Sequence, residues 1–291
     1  MKTNHQLSCL VLTAVFIILL AGAITYADTI YVISRTNATV PNSGEVMKYD
    51  SSGHGSLFAW GLDSPAGLAC DKSGNLYVST ERDGSITKID YSGNKSAFGS
   101  GLDNPYGLAF DSKGNLYCAN FYGSSIAKFN SSGQMNTFVS GIDNPVGLAF
   151  DNKDNLYVSA DWIVKVDTSG NKSTFSIEGM NNPYGLAFDN KGNLYCANFY
   201  GGTIEKFDSS GNGSVFASGL SGPMGLAFGS DGSLYASIHG SESILRYDMK
   251  GGYSTFASGF PDLGFIAVTP IPEPATLLLL GLGAAMFRKM K

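Results

Sequence analysis

The chain repeats itself. Gly101–Ser140 reads GLDNPYGLAFDSKGNLYCANFYGSSIAKFNSSGQMNTFVS, and Gly179–Ser218 reads GMNNPYGLAFDNKGNLYCANFYGGTIEKFDSSGNGSVFAS. Further copies start at Gly61, Gly141 and Gly219. Four copies have 40 residues, and the copy from Gly141 has 38, two fewer near Asp161-Trp162. A fixed period of this length means that one unit cannot bury its own apolar face and must stack on its neighbours.

Each copy parses into four short strands. Gly107–Phe110 is the first, and the turn Asp111–Asn115 leads to the second, Leu116–Ala119. The loop Asn120–Ser125 precedes the third, Ile126–Phe129, and the turn Asn130–Gly133 precedes the fourth, around Asn136–Val139. Glycine supplies the positive φ of such turns, and Asp or Asn caps them through the side chain. Four-stranded units at this spacing predict an all-β fold, a β-propeller. The outer turn occurs six times, at Asp50, Asp90, Asn130, Asp167, Asp208 and Asp248. The innermost strand follows Pro65, Pro105, Pro145, Pro183 and Pro223, with a divergent sixth copy at Phe265–Val268. That last half-repeat lacks three strands, which the segment from Thr29 to about Trp60 can supply. The expectation is six blades, one built from both termini so that no sheet edge is left at the seam.

Gly67, Gly107, Gly147, Gly185 and Gly225 keep the innermost strands small where they converge on the axis, while Leu and Phe fill the space between blades. Cys70 takes the place of Phe110. Cys118 and Cys196 share one position two blades apart, beyond the reach of a disulfide, and all three cysteines read as buried small apolar residues. Asp63, Asp103 and Asp143 recur just before proline and read as turn caps rather than as a carboxylate ring. The turns that begin at Asp71, Asp111 and Asp189 lack the alternating acidic ligands and the closing Glu of a calcium loop.

The pattern P-x-G-L-A, G-N-L-Y, I-x-K-F, G over Thr29–Val268 resembles the NHL-repeat family and the streptogramin-lyase-like and gluconolactonase-like six-bladed propellers. The resemblance implies the fold. It does not choose between enzyme and binding module, because such folds host both.

The ends differ from the body. Met1–Ala27 has Lys2, an apolar run from about Leu10 to Ala23, and small residues at Thr25 and Ala27, the pattern of a secretory signal peptide cut between Ala27 and Asp28. At the other end stand Pro272-Glu273-Pro274, an apolar run over Ala275–Phe287, and Arg288, Lys289 and Lys291. The prolines hold the tripeptide extended. The apolar run would reach only ~20 Å as a helix, short of a hydrocarbon core of ~30 Å, and the basic end would stay cytoplasmic. This order resembles the PEP-CTERM sorting signal, which implies an exosortase as processing partner and Sec-type export before it. The expected organisation is a signal peptide over 1–27, a propeller over 28–271 and a sorting signal over 272–291, which acts as a transient membrane anchor. The destination is the cell envelope, the cell surface or the extracellular space.

The chain has 19 Lys and Arg against 24 Asp and Glu. Lys2, Arg288, Lys289, Lys291 and Glu273 lie in the end segments, so the body is acidic and has no basic run, which excludes nucleic acid as a partner. A monomer without cofactor or metal is expected. One face of the ring should collect the loops between second and third strands and those entering the first. It carries Tyr106, Asn120, Phe121, Tyr122, Asp161, Trp162, Tyr184, Asn198, Phe199 and Tyr200. Aromatic and amide groups of this kind suit an extracellular polysaccharide or a surface protein, although the aromatics could simply cover strand ends. The competing reading is a secreted enzyme. A metal-dependent lactonase would use Asp161, Asn120, Asn198 and His239, and a lyase would need a His base, for which His239 with Glu242 is the candidate pair.

Overall fold

The computed structural model describes residues 26–35, 40–176 and 179–272. The chain opens with β1 (Tyr26–Arg35), β2 (Gly44–Tyr49) and β3 (Gly55–Leu62). Blade one is β4 (Pro65–Cys70), β5 (Leu76–Thr80), β6 (Ser85–Ile89) and β7 (Lys95–Gly99). Blade two is β8 (Pro105–Phe110), β9 (Leu116–Asn120), β10 (Ser125–Phe129) and β11 (Met135–Ser140). Blade three is β12 (Leu148–Phe150), β13 (Leu156–Ser159), β14 (Ile163–Val166) and β15 (Lys172–Ser176). Blade four is β16 (Pro183–Phe188), β17 (Leu194–Asn198), β18 (Thr203–Phe207) and β19 (Gly213–Ser218). Blade five is β20 (Pro223–Phe228), β21 (Leu234–Ile238), β22 (Ser243–Tyr247) and β23 (Tyr253–Ser258), and β24 (Leu263–Pro272) comes last.

The last strand does not start a new sheet of its own. It pairs with the first, in the order β24-β1-β2-β3, so blade six is made from both ends and the propeller of six four-stranded blades closes as the repeat count requires. The compact unit spans Asp28–Thr269. The signal segment up to residue 25, together with Glu273, Pro274 and the apolar tail, lies outside the described residues. Ala27 and Pro272 enter only as positions in the first and last strands.

The fixed spacing within each repeat has a physical cause at the blade interfaces. The Tyr of the second strand is wedged between a Phe of its own outermost strand and the Phe that ends the next blade's innermost strand. Tyr77 sits 4.8 Å from Phe98 and 5.1 Å from Phe110, edge to face. Tyr117, Tyr157 and Tyr195 repeat the triad with Phe138 and Phe150, Phe175 and Phe188, and Phe216 and Phe228. Each such ring pair adds ~0.5–1.5 kcal/mol to what burial provides. At the seam Tyr31 keeps Phe58 but meets Cys70 where the others meet Phe, and burial pushes the Cys70 thiol up to about 12. Cys118 and Cys196 are buried and free, as their spacing implied.

Near the axis the glycines are compulsory. A Cβ on Gly67, Gly107, Gly147 or Gly185 would fall within 2.1–2.4 Å of a carbonyl oxygen in the next innermost strand, those of Tyr106, Val146, Tyr184 and Met224. Serines reinforce the contact in alternate blades. Ser79, Ser159 and Ser237 each accept the N–H of their own blade's glycine and donate to a carbonyl of the next, at 2.5–2.8 Å. Blade two carries Ala119 at that position, and there the Gly107 N–H reaches Val146 O directly at 2.8 Å.

Candidate functional site

In five of the six blades a backbone bond joins two neighbouring loops of one face. Glu81 N donates to Ser64 O, Phe121 N to Asn104 O, Phe199 N to Asn182 O, His239 N to Gly222 O and Arg35 N to Asp262 O, at 2.9–3.2 Å. The acceptors share a left-handed backbone, with φ of 53° at Ser64, 56° at Asn104, 60° at Asn182, 68° at Gly222 and 50° at Asp262.

Asn120 and Asn198, both expected to face a ligand, are used in holding these loops. Asn198 Oδ1 accepts the Asn181 N–H at 2.7 Å, and its Nδ2 donates to Gly179 O at 2.8 Å and to Thr203 Oγ1 at 3.1 Å. Asn120 accepts the Asp103 N–H at 2.6 Å and donates to Ser125 Oγ. The asparagine side chains are therefore the caps of this turn, and the assignment of that role to the Asp63, Asp103 and Asp143 carboxylates is corrected. Asp63 faces Arg82 at 3.7 Å, and no hydrogen bond engages the side chain of Asp103 or Asp143 among the described residues. The physical reason is reach: the cap comes from the neighbouring loop, where an amide can both accept and donate, whereas a carboxylate can only accept.

With the amides withdrawn, the channel mouth has two halves. One is aromatic. Tyr106 packs on Phe121 at 5.1 Å and Phe121 on Tyr122 at 5.2 Å, while Tyr184, Phe199 and Tyr200 repeat this stack in blade four. Tyr122 and Tyr200 are exposed, and Tyr106 and Tyr184 are half-buried. The other half is charged and runs across blades five, six and one. Arg35 donates to Glu81 Oε1 at 3.2 Å and to Asp262 Oδ1 at 3.4 Å, its Nε lies 3.1 Å from Asp262 Oδ2, and Ser64 Oγ donates to Glu81 Oε2 at 3.4 Å. His239 Nδ1 lies 3.4 Å from Asp262 Oδ1, and its ring lies 6.0 Å from Phe199. The halves sense one another: burial raises the Tyr106 hydroxyl, and the Glu81 carboxylate and the Tyr184 hydroxyl raise it further. Burial raises the Tyr184 hydroxyl as well, so at neutral pH both tyrosines keep their protons.

His239 thus pairs with Asp262 rather than with the side chain of Glu242, which ends the short 3₁₀ turn His239–Ser241 in a left-handed conformation and is exposed. Arg35, Glu81 and Asp262 were not singled out from the sequence. Arg35 and Asp262 come from opposite ends of the chain, 227 residues apart, and meet only because the seam closes. Asp161 and Trp162 do not line the mouth with the tyrosines. They line a separate groove beside Gly141–Asp143. No three His, Cys, Asp or Glu side chains converge as a metal site among the described residues. No helix among them is long and apolar enough to cross a membrane.

Residues 270–291 match the PEP-CTERM protein-sorting motif, which implies export and processing by an exosortase. No curated protein matches the sequence. Among solved structures, the nidogen/laminin complex contains a chain that aligns with a TM-score of 0.72 at 18% identity, over 82% of this chain and 98% of that one. A streptogramin B lyase aligns with a TM-score of 0.60 at 16% identity, over 80% and 74%. Virginiamycin B lyase from Staphylococcus aureus aligns with a TM-score of 0.57 at 16% identity, over 66% and 69%. At such identities the likeness is one of fold, and the chain is a six-bladed β-propeller that carries a PEP-CTERM sorting motif at its C-terminus.

Proposed function

We propose that the protein is a non-enzymatic binding module of the cell surface or extracellular matrix. Cleavage after Ala27 and at Pro272-Glu273-Pro274 would free the body, and the channel mouth would grip a carbohydrate or a protein. The observation that carries this reading is the split mouth. Two protonated tyrosines backed by stacked rings face an Arg35–Glu81–Asp262 network in which one guanidinium serves two carboxylates, an arrangement that offers flat apolar surface and directed polar groups. Asn120 and Asn198 are occupied with loop geometry, so the ligand set that a lactonase would draw from them is not aimed at the channel. Binding of glycans and surface proteins to the purified protein, repeated with Tyr106→Ala and Tyr184→Ala, tests the proposal. Loss of binding in both variants supports it, and retention in both removes the mouth from consideration.

One observation favours a second reading, a lyase. His239 has a carboxylate partner in Asp262, which can orient an imidazole as a base. Asp262 is shared with Arg35, which draws on the same oxygens. Turnover of a lactone or cyclic depsipeptide panel that vanishes in His239→Ala would establish the enzyme.

A further inference from the structure

Blade three departs from its sisters at one place. Cys118 pairs with Ala127 across the loop of blade two, and Val158 with Val164 across that of blade three, three residues closer together. The net shortening of two is three residues lost here and one regained before Gly179. Aligned on these strands, Ala160 stands where blades two and four have Asn120 and Asn198, and Trp162 stands where they have Ser125 and Thr203. The tight turn is held by Ala160 N donating to Trp162 O at 2.9 Å.

The consequence is a binding notch of defined chemistry. In blades two and four a side-chain amide is inserted under the entering loop, its oxygen on the N–H of Asp103 or Asn181. The equivalent donor in blade three is the Asp143 N–H, which has no partner among the described residues. The equivalent of the other anchor, Gly179 O, is Gly141 O, and here it accepts from Lys172 Nζ at 2.7 Å. Gly141, Ile142, Asp143, Ala160 and Trp162 line a groove of about 340 Å³ at this point, within the ~300–1,000 Å³ typical of small-molecule sites. Trp162 is 43% exposed. The carboxylates of Asp143 and Asp161 line the same groove and carry no hydrogen bond or ion pair among the described residues.

We infer that this groove binds an N-acetylated amino sugar, its acetamido group taking the position that the Asn120 and Asn198 amides fill in the sister blades. The acetamido oxygen accepts the Asp143 N–H, the sugar ring lies against Trp162, and ring hydroxyls donate to Asp143 and Asp161. Asp143 is exposed, so its N–H exchanges water for the acetamido oxygen, and the acetyl group together with the Trp162 platform is the recognised feature. The inference deepens the carbohydrate side of the function proposed above and rests on it, but it uses a different site from the tyrosines of the mouth.

The experiment is calorimetric titration of the purified protein with tri-N-acetylchitotriose, its fully de-N-acetylated counterpart, maltotriose, and a short peptide bearing Asn side chains. The expected result is saturable binding of the acetylated trisaccharide, at least tenfold tighter than the other three. Ala160→Asn refills the notch with the amide its sisters carry, and Trp162→Ala removes the platform. Each should weaken binding tenfold or more with unchanged thermal unfolding, while Tyr91→Ala, on an exposed outer turn of blade one, leaves it intact. Equal binding of acetylated and de-acetylated sugars, preference for the peptide, or full affinity in Ala160→Asn would overturn the inference. Glycan binding that is lost in Tyr184→Ala but unaffected by Ala160→Asn would overturn it too while leaving the mouth reading in place.

Discussion

Asp28 holds the Ser230 N–H of the neighbouring blade, as Asp154 holds that of Ser112. In blades one to four the turn between first and second strands begins with an aspartate whose Oδ1 caps two backbone N–H groups, as Asp71 does for Ser73 and Asn75. Blade five has Gly229 there, and a Cβ on it would lie 2.5 Å from Asp28 Oδ2. Asp28 accepts a different donor, the Ser230 N–H, at 2.9 and 3.1 Å from 202 residues away, while Asp231 caps Ser233, and Asp28 is only 6% exposed. The first residue of the expected mature chain is thus a structural part of blade five. Asp28→Ala should cost ~1–2 kcal/mol, the value of a lost cap. Gly229→Asp alone should also destabilise, because two carboxylates would then compete for one place. The double variant should lose less than the sum of the two, because removing the Asp28 side chain clears the 2.5 Å clash, but it should not regain the Ser230 contact. Urea denaturation of the three proteins decides this, and an additive double variant would show that the two positions do not touch.

Asn198 is predicted to matter for stability, not for binding. It is 2% exposed and makes three hydrogen bonds. Asn198→Ala leaves the Asn181 N–H and Gly179 O without their partner and should lower unfolding stability by ~2–3 kcal/mol, about one kcal/mol per bond plus the penalty for unpaired groups. Ligand affinity measured well below the unfolding transition should stay within a factor of two.

What the sequence made legible was whatever recurs within one repeat. The blade count, the Leu and Phe between blades, the axial glycines and the closure by Phe265–Val268 follow from period and turn chemistry, and the structure bears them out, while the Tyr of each wedge emerges only from the packing. The turn carboxylates of Asp71, Asp111 and Asp189 act as caps: each uses one oxygen on two N–H groups and the other on an Asn side chain. What could not be read were contacts between repeats and across the seam. Arg35 and Asp262 belong to the divergent half-repeats, where no sister copy marks their register. The same holds for the asparagine locks, because an amide in an aromatic loop reads equally well as ligand-binding until its three partners are placed.

The serine bridges near the axis predict a graded series. Ser159→Ala removes the link from the Gly147 N–H to Tyr184 O, made at 2.7 and 2.5 Å, and should cost ~1–2 kcal/mol. The cost is moderated because blade two, with Ala119, shows that a direct backbone contact can replace the bridge. Gly147→Ala offers no such escape, since its Cβ would fall 2.1 Å from Tyr184 O. It should lose ~3 kcal/mol or more and reduce the yield of folded protein. A smaller effect for the glycine than for the serine, in thermal unfolding, would contradict this account of the axis.

Glu81 should leave a signature in the pH dependence of stability. Burial raises its carboxyl above the ordinary value of 4.5, and Arg35 and Ser64 pull it only part of the way back. A raised acid binds more protons folded than unfolded, so its contribution to stability falls as pH climbs from about 4.5 through the raised value, and stays low above it. The difference in unfolding free energy between the native protein and Glu81→Gln should therefore shrink as pH rises through that window. A difference that grows would mean that the Arg35 ion pair outweighs burial.

The last strand ends at Pro272, the first residue of the tripeptide at which the sorting motif is expected to be processed, so removal of the tail beyond it should leave blade six intact. Replacing Pro272-Glu273-Pro274 by alanines should keep the protein in the membrane fraction as the uncut species, because the apolar run Ala275–Phe287 then stays attached, with Arg288, Lys289 and Lys291 on the cytoplasmic side. A chain stopped after Pro272 should be released and unfold at the temperature of the processed protein, because the paired strands β24 and β1 are complete without the tail. Fractionation with immunoblotting reads the first outcome and thermal unfolding the second. Equal release of the alanine variant would remove the tripeptide from the sorting step, and a lowered unfolding temperature in the shortened chain would show that the tail contributes to the propeller.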